Sequence, residues 1–373
     1  MHEDANSNAT VAVAMSGGVD SSTAAALLAS RGYRVIGLTM RLFCYSDRQT
    51  SEKSCCNTQA IADARAVCER IGAPHYVIGG EKEFKRDVIS RFVDSYLTGS
   101  TPNPCVDCNS FIKFKMLMYK ALNIGADYLA TGHYVRIGAH NGSPALLRGL
   151  DRDKDQSYFL WGIPRSSLNR LLFPLGEYNK GQVRALAGEY GLEVREKVES
   201  QEVCFVENDD LEAFIRQSAA ERVEGDETPL STRPGPVLDS SGKVVGEHRG
   251  SAFYTIGQRK GLGVSLGRPV YVTRIDTASN VVVVGDDNEL GSNLLEAEQV
   301  NFLADPPDSN FKAGVQIRYR HNPVPATVEH TGNYSVRVRF ETPQRAVARG
   351  QSVVFYDNEV LLGGGVINGV GDS

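Results

Sequence analysis

The chain has 373 residues, of which 41% are hydrophobic, and a formal net charge of −5 at pH 7. This length exceeds what one hydrophobic core usually sustains, so two or three domains are expected. The apolar runs are too short to span a bilayer, and the polar start at 1–10 lacks the order of a secretory signal, so a cytoplasmic location is expected. The small negative charge argues weakly against a nucleic-acid partner.

The first half of the chain alternates short apolar runs with amphipathic runs, which predicts strands separated by helices. Strands are predicted at 11–15, 33–40, 75–78 and 127–131, and helices at 23–29, 57–71, 83–97, 111–124 and 179–190. This order is typical of an α/β domain with a doubly wound parallel sheet. Ligands of such sheets bind beyond the carboxyl ends of the strands, where the loops after 15, 40 and 131 should meet.

A glycine-containing segment follows the first predicted strand and opens the first predicted helix: Ser16-Gly17-Gly18-Val19-Asp20-Ser21-Ser22. Its glycines let backbone N–H groups approach an anion, and the positive end of the helix dipole helps to hold that anion. Asp20 could hold the Mg²⁺ that accompanies a polyphosphate. Because no lysine follows the glycines as in a Walker loop, cleavage between the α and β phosphates fits better than transfer of a γ-phosphoryl group.

The chain has seven cysteines, and none lies beyond position 204. Clustered thiols in a long intracellular chain indicate chemistry or a metal rather than a disulfide scaffold. A proline-stiffened loop is predicted at 101–109, before a helix that begins near Phe111. A helix N-terminus favours the thiolate of a nearby cysteine, so Cys108 could be a nucleophile, a metal ligand or a structural residue. The remaining early cysteines are interpreted as structural or incidental: Cys44, Cys55, Cys56 and Cys68.

After about Cys204 the pattern changes. The segment 207–227 is predicted to be partly helical, 231–245 to form turns, and 271–275, 280–284, 315–319, 335–340 and 352–355 to form short strands. We therefore predict an α/β catalytic domain at 1–205, a small β-rich middle domain at 206–288 and a C-terminal β-barrel at 289–373. Between 311 and 350 there are seven basic residues and two acidic ones. This composition favours either a phosphate-binding surface or a solvated arginine-rich face.

Six segments occur together and in order: SGGVDSS at 16–22, TPNPCVDCN at 101–109, TGHY at 131–134, KDQSYFL at 154–160, SQEVCF at 200–205 and YTIGQRKGLG at 254–263. Together they closely resemble the bacterial and organellar tRNA-specific 2-thiouridylases. The first segment alone resembles the pyrophosphate loop shared by the ATP pyrophosphatase superfamily, whereas the cysteine motifs and the last segment are narrower. The resemblance runs from about Thr10 to Val366, nearly the whole chain.

The resemblance implies a sulfurtransferase that uses ATP and Mg²⁺ to activate the wobble uridine of a tRNA before a persulfide sulfur replaces its C2 oxygen. ATP would contact Ala14, Met15, Ser16, Gly17, Gly18, Val19, Asp20, Ser21, Met40 and Gly132. Cys204 would carry the persulfide sulfur received from an upstream carrier, and Cys108 would be its partner thiol. The tRNA would contact Asn103, Pro104 and Cys105 at the target base, and elsewhere His133, Lys154, Asp155, Gln156, Arg318, Tyr319 and Gln351.

The sequence departs from the best-known form of the family at Cys105, where that form has an aspartate. With Cys108 and Cys204, this third thiol could ligate an iron–sulfur cluster whose open site binds the sulfide to be transferred. The persulfide mechanism and the cluster mechanism therefore both stay open. A further alternative is a small-molecule adenylating ligase of the same superfamily, which would need neither paired thiols nor a basic barrel.

Overall fold

The computed structural model of the chain describes residues 8–42, 58–197, 203–206, 208, 210–222, 228–306 and 309–371. Its first sheet has five parallel strands in the order β3-β2-β1-β4-β7. These strands are β1 Thr10–Ala14, β2 Arg34–Arg41, β3 His75–Gly79, β4 Tyr128–Ala130 and β7 Leu171–Leu172. The predicted parallel α/β sheet is confirmed. The predicted helix start at Asn57, together with Cys44, Cys55 and Cys56, lies outside the described residues.

Helices cover both faces of this sheet. The helices of the described residues are α1 Val19–Ser30, α2 Thr58–Arg70, α3 (Glu81–Phe84, the π-helical Lys85–Ile89 and Ser90–Leu97), α4 (Pro104–Asp107, the π-helical Cys108–Leu117 and Met118–Asn123), α5 Lys180–Glu189 and α6 Leu211–Ala220. The last of these, α6, packs in a cluster with the middle part of the chain instead. Val11 and Val13 of β1 pack in a cluster with α1 and α2, whereas Ala12 between them packs with α4. Alternate side chains of one strand are thus buried on opposite faces, as in a doubly wound sheet.

The helix predicted to begin near Phe111 begins at Pro104 instead. Asn103 is the N-cap residue, and Pro104 occupies the first helical turn, where its fixed φ is favourable and its missing N–H removes no helical hydrogen bond. Cys105 therefore lies in the first turn, and Cys108 lies one turn further along. The predicted start is wrong, and the argument from a helix N-terminus applies to Cys105 rather than to Cys108.

The middle part of the chain forms a four-stranded sheet in the order β10-β11-β8-β9. Its strands are β8 Gly235–Asp239, β9 Val244–His248, β10 Tyr271–Asp276 and β11 Val281–Gly285. The prediction of turns throughout 231–245 is wrong, because β8 lies within this range and pairs on both sides. A Cβ on Gly235 would lie 2.5 Å from the Asn280 carbonyl oxygen, so close packing, which no local pattern reveals, explains a glycine in this strand.

Six strands form a closed barrel in the order β12-β15-β14-β13-β16-β17, with β12 also paired to β17. They are β12 Gly291–Phe302, β13 Asn310–Gln316, β14 Val324–Gly332, β15 Ser335–Arg345, β16 Ser352–Asp357 and β17 Val360–Gly371. The predicted C-terminal barrel is confirmed, although the strand predicted at 315–319 lies mostly before that range. Within the described residues, no helix is both long and apolar enough to cross a bilayer.

An unpredicted hairpin joins the first domain to the barrel. Its strands are β5 Val135–His140 and β6 Ser143–Arg148, and Leu147 of β6 pairs with Val360 of β17. One apolar cluster also contains Leu38 of the first sheet and Tyr356 of the barrel. The Tyr158 hydroxyl donates to the Ser352 carbonyl oxygen at 3.0 Å. The parallel sheet and the barrel therefore share a core.

Candidate active site

A cavity of about 310 Å³ opens at the carboxyl end of the parallel sheet. It lies where β1, β2 and β4 end, which is the expected ligand position for this sheet type. The predicted site residues that line it are Ala14, Met15, Ser16, Asp20, Ser21, Met40, Pro104, Cys105, Cys108, Gly132, His133, Gln156 and Cys204. The fold thus brings the phosphate loop and both cysteine motifs to one cavity.

The loop after β1 leaves the N-terminus of α1 available to an anion. Gly17 has a φ of +68°, and a Cβ there would lie 2.4 Å from the Ala60 carbonyl oxygen, so α2 packs directly on this glycine. Ser21 Oγ accepts from the Ser16 nitrogen at 3.1 Å and donates to the Gly18 oxygen at 3.2 Å. Gly18 is the N-cap residue of α1, and no side chain caps the helix there. The first N–H groups of α1 and the helix dipole can therefore receive a phosphate.

Two lysines that sequence analysis missed stand beside this loop. Lys180 Nζ donates to both Asp20 oxygens, at 2.7 and 2.9 Å, and the Tyr134 hydroxyl donates to Asp20 Oδ1 at 2.8 Å. Lys197 Nζ donates to the Gly17 carbonyl oxygen at 3.0 Å. Both lysines are distant in sequence from the glycines, and no local pattern marks them. Each ammonium group is paired with a carboxylate, Lys180 with Asp20 and Lys197 with Asp63 Oδ2 at 2.7 Å, so the fold places two ion pairs beside the loop.

The segment after β4 forms another wall of the cavity. A Cβ on Gly132 would lie 2.7 Å from the Asp20 carbonyl carbon, so this glycine makes room for the first turn of α1 and not only for a ligand. His133 Nδ1 lies 2.7 Å from Thr131 Oγ1. Burial, with a smaller effect of the Lys113 charge, holds the pKa of His133 well below its ordinary value. The imidazole is therefore neutral at neutral pH.

Cys108 and Cys204 come from distant parts of the chain, are both partly exposed and line the same cavity. Cys108 lies in the π-helical part of α4, a feature that is frequent at functional sites. Cys204 is followed by Phe205, whose ring packs edge-on against Phe84 and Phe92 with centroid distances of 5.7 and 5.1 Å. This aromatic contact anchors the Cys204 segment at the cavity.

Cys105 is exposed and lines the same cavity as the other two thiols. In the part of the chain that the structure describes, however, no group of three or more histidine, cysteine, aspartate or glutamate side chains is placed to hold a metal ion. An iron–sulfur cluster needs its thiolates grouped around it. In this arrangement the residues Cys105, Cys108 and Cys204 do not fit such a cluster.

The predicted tRNA contacts outside the cavity have different surroundings. Asp155 is only 6% exposed, and its carboxylate accepts from Arg148 Nε at 2.6 Å and from Ser157 Oγ at 3.1 Å. The expectation that this carboxylate contacts tRNA is therefore not supported, because it is occupied inside the protein. Gln351 Nε2 donates to the Thr101 carbonyl oxygen at 2.9 Å, which ties the barrel to the segment before Cys105.

The remaining predicted tRNA contacts are half-buried: Asn103, Lys154, Arg318 and Tyr319. One Arg318 guanidinium nitrogen donates to the Ala346 carbonyl oxygen at 2.6 Å, and the Tyr319 ring lies 4.4 Å from that of Phe159. Asn103 lines a second cavity, of about 520 Å³, between the start of α4 and the barrel. The structure thus leaves all four partly accessible to a ligand.

Asp107 lines the second cavity. The pH dependence of stability tests whether its carboxyl group is buried there. Burial raises the pKa of Asp107 to about 6, partly opposed by Arg91 and reinforced by Asp87. Because the folded chain then binds this proton more tightly than the unfolded chain, stability decreases as the pH rises from about 4 to about 6. Asp107→Asn should therefore stabilise the protein by about 1 to 3 kcal/mol more at about pH 8 than at about pH 4.

Urea unfolding at the two pH values measures this difference. Asp153→Asn, which changes an exposed aspartate, is the control for removal of one negative charge. An equal effect of Asp107→Asn at both pH values would show that the Asp107 carboxyl is not desolvated in the folded chain.

Three family models match the chain in order. They are described as the tRNA methyl transferase HUP domain at 9–208, the tRNA methyl transferase PRC-barrel domain at 227–286 and the aminomethyltransferase β-barrel domain at 292–367. Among solved structures, NMN synthetase from Francisella tularensis is 18% identical, covers 51% of this chain and 65% of its own, and has a TM-score of 0.33. At this TM-score the similarity supports no conclusion about this chain.

Curated relatives match almost the whole chain. A tRNA-specific 2-thiouridylase of Carboxydothermus hydrogenoformans is 47% identical over 362 residues, which cover 96% of this chain and 97% of that protein. The protein of the same name from Roseiflexus castenholzii is 44% identical over 376 residues, with 96% and 99% covered. The family indicated by the sequence motifs is therefore confirmed, and the chain belongs to the tRNA-specific 2-thiouridylases.

Proposed function

We propose that this chain is an ATP-dependent sulfurtransferase that converts the wobble uridine of tRNA to 2-thiouridine. The observation that supports this proposal most strongly is that the phosphate loop, Cys108 and Cys204 line one cavity. The relatives named above are called tRNA-specific 2-thiouridylases and match the chain over nearly its full length. A small-molecule ligase would require neither the second thiol nor the barrel.

Activation of the uridine is the first step. The C2 oxygen of uridine is a poor leaving group, so it would attack the α-phosphorus of ATP, release pyrophosphate and leave as AMP in the next step. The uncapped N-terminus of α1 would hold the phosphates, and Met40 would border the adenosine. Mg²⁺ at Asp20 would neutralise part of the phosphate charge, and one protein carboxylate is an ordinary number for a nucleotide-bound Mg²⁺.

Sulfur transfer is the second step. In one route the terminal sulfur of a Cys204 persulfide would attack C2 and expel AMP, and the Cys108 thiolate would then attack Cys204 Sγ and cleave the remaining S–S bond. In the other route the Cys108 thiolate would attack Cys204 Sγ first, and the released sulfide would attack C2 and expel AMP. Both routes leave a Cys108–Cys204 disulfide, which an external dithiol would reduce before the next cycle. In both routes the two sulfurs must meet, so one of the two segments would move or be ordered by tRNA.

The tRNA and the sulfur source are the partners of this reaction. The target uridine lies in a single-stranded loop, where unstacking is easier than in a duplex. Pro104, Cys105, His133 and Gln156 line the cavity that would receive it, and the half-buried Asn103, Lys154, Arg318 and Tyr319, with Gln351, would contact the rest. An upstream persulfide carrier would load Cys204, and a cytoplasmic location is part of the proposal.

The decisive experiment combines the purified chain, ATP, Mg²⁺, a small-molecule persulfide and unmodified tRNA. The tRNA is then digested, and 2-thiouridine is quantified by mass spectrometry. Product formed under air by iron-free protein is the expected result. Product formed only after anaerobic iron–sulfur reconstitution would replace the persulfide route by the cluster route, and no product under either condition would overturn the proposed function.

A further inference from the structure

We infer that Lys180 is a positioning residue for uridine activation, which acts through Asp20 by fixing how this carboxylate binds the cation that accompanies ATP. The inference rests on the proposed function, because ATP activation gives Asp20 its role. Lys180 Nζ contacts both oxygens of Asp20, at 2.7 and 2.9 Å. Asp20 borders the cavity, whereas Lys180 belongs to α5 and reaches Asp20 from that helix.

The contacts of Asp20 limit how it can bind a cation. A carboxylate has about four acceptor positions, two on each oxygen. Oδ1 accepts from Lys180 Nζ and from the Tyr134 hydroxyl, and Oδ2 accepts from Lys180 Nζ. These contacts leave one position, on Oδ2. Asp20 would therefore bind Mg²⁺ through one oxygen, and Lys180 would keep the second oxygen out of the coordination shell.

A purely structural ion pair explains the position of Lys180 poorly. Lys180 is the first residue of α5, where the positive end of the helix dipole disfavours a cation. The start of α5 is already fixed by a capping box between Asn179 and Gln182. An apolar cluster that includes Leu27 of α1 and Val183 of α5 already holds the two helices together. The lysine is therefore needed neither to begin α5 nor to attach it.

The Lys180 ammonium is held in place before any nucleotide arrives. Its side chain is 14% exposed, its backbone N–H donates to Asp151 Oδ2 at 3.0 Å, and its Nζ lies 5.8 Å from the Tyr134 ring centroid. A half-buried ammonium group that holds a carboxylate in a fixed geometry resembles the second layer of contacts that orients metal ligands in other proteins. The carboxylate is thus oriented in advance of cation binding.

The test is ATP binding by isothermal titration calorimetry, with either Mg²⁺ or EDTA present. Lys180→Met removes the charge and keeps most of the side-chain length. We expect it to weaken ATP binding in Mg²⁺ by about tenfold or more and to leave binding in EDTA unchanged. In an Asp20→Asn background, Lys180→Met should cause no further loss, because its effect passes through Asp20. Lys180→Arg should restore part of the affinity.

Two further variants serve as a charge control and as a replacement for Lys180→Met. Arg184→Met removes a cation from an exposed position of the same helix and should leave both affinities unchanged. Tyr134→Phe removes only the hydroxyl that donates to Asp20 Oδ1, and it should also weaken ATP binding in Mg²⁺. This variant takes the place of Lys180→Met if Lys180→Met does not fold.

Two results would overturn the inference. Parent-like ATP binding by Lys180→Met in Mg²⁺ would show that Asp20 needs no positioning. Equal weakening in EDTA, persisting in the Asp20→Asn background, would make Lys180 a direct phosphate ligand. The parent chain separates this question from the proposed function, because a parent that binds ATP with Mg²⁺ but forms no 2-thiouridine would overturn only the latter.

Discussion

Cys108→Ser and Cys204→Ser should each reduce 2-thiouridine formation by more than about a thousandfold, which is the scale of loss when a nucleophile is removed. A serine hydroxyl cannot carry a persulfide sulfur, and it cannot exchange with a disulfide. Both substitutions are neutral and small, and tRNA affinity depends mainly on contacts to phosphates. Mass spectrometry of digested tRNA measures the first effect, and a filter-binding assay should show nearly unchanged tRNA affinity.

Cys105→Ser is the matched control, because Cys105 lines the same cavity and undergoes the same chemical change. The persulfide mechanism uses only two thiols, so this variant should lose only what the contact of Cys105 with the target base contributes, which is far less than the loss in Cys108→Ser. A loss as large as that of Cys108→Ser would show that three thiols are required. Substantial thiolation by Cys108→Ser or Cys204→Ser would instead contradict the two-thiol scheme itself.

Asp20→Ala should reduce tRNA-dependent pyrophosphate release by about a hundredfold or more, because the carboxylate proposed to hold Mg²⁺ is lost. Removal of the carboxylate also takes away an acceptor that Lys180 Nζ contacts at 2.7 Å. Asp20→Asn is therefore the second variant, since it keeps the shape and a hydrogen-bond acceptor for Lys180. A coupled enzymatic assay for pyrophosphate measures the release.

The thiol variants provide the control for this prediction. Activation precedes sulfur transfer in the proposed mechanism, so Cys204→Ser should still release pyrophosphate in the presence of tRNA. Unchanged pyrophosphate release by both Asp20 variants would remove Asp20 from the activation step. Loss of release in Cys204→Ser would mean that the persulfide has to be in place before ATP is cleaved.

The local sequence was sufficient to predict the parts of the site that lie at the ends of strands. The phosphate loop and Gly132 follow strands of the parallel sheet, Met40 lies near the carboxyl end of β2, and Ser16, Met40 and Gly132 all line the cavity. Sheet topology alone brings such loops together. The position of Cys204 at this cavity depended on family resemblance, because nothing in its local pattern distinguishes it from a core cysteine.

The errors in the sequence analysis have physical causes. The start of α4 was placed too late because Asn103 and Pro104 were interpreted as loop residues, although an N-cap followed by proline also begins a helix. Lys180 could not be found, because the role proposed for it follows from a contact with Asp20 across 160 positions of the chain. The hairpin 135–148 was missed although its turn carries a local signal, because Asn141-Gly142, with positive φ at both residues, is a typical two-residue hairpin turn.

Because the parallel sheet and the barrel share a core, the two parts of the enzyme should depend on each other for folding. Removal of the chain from β12 onward would take Tyr356 out of the cluster that contains Leu38 and would remove β17 from the side of β6 that does not face β5. The truncated remainder would expose both apolar surface and an open sheet edge. The half proposed to perform the chemistry and the half proposed to hold tRNA should therefore not be exchangeable separately between proteins, and they should melt as one cooperative unit.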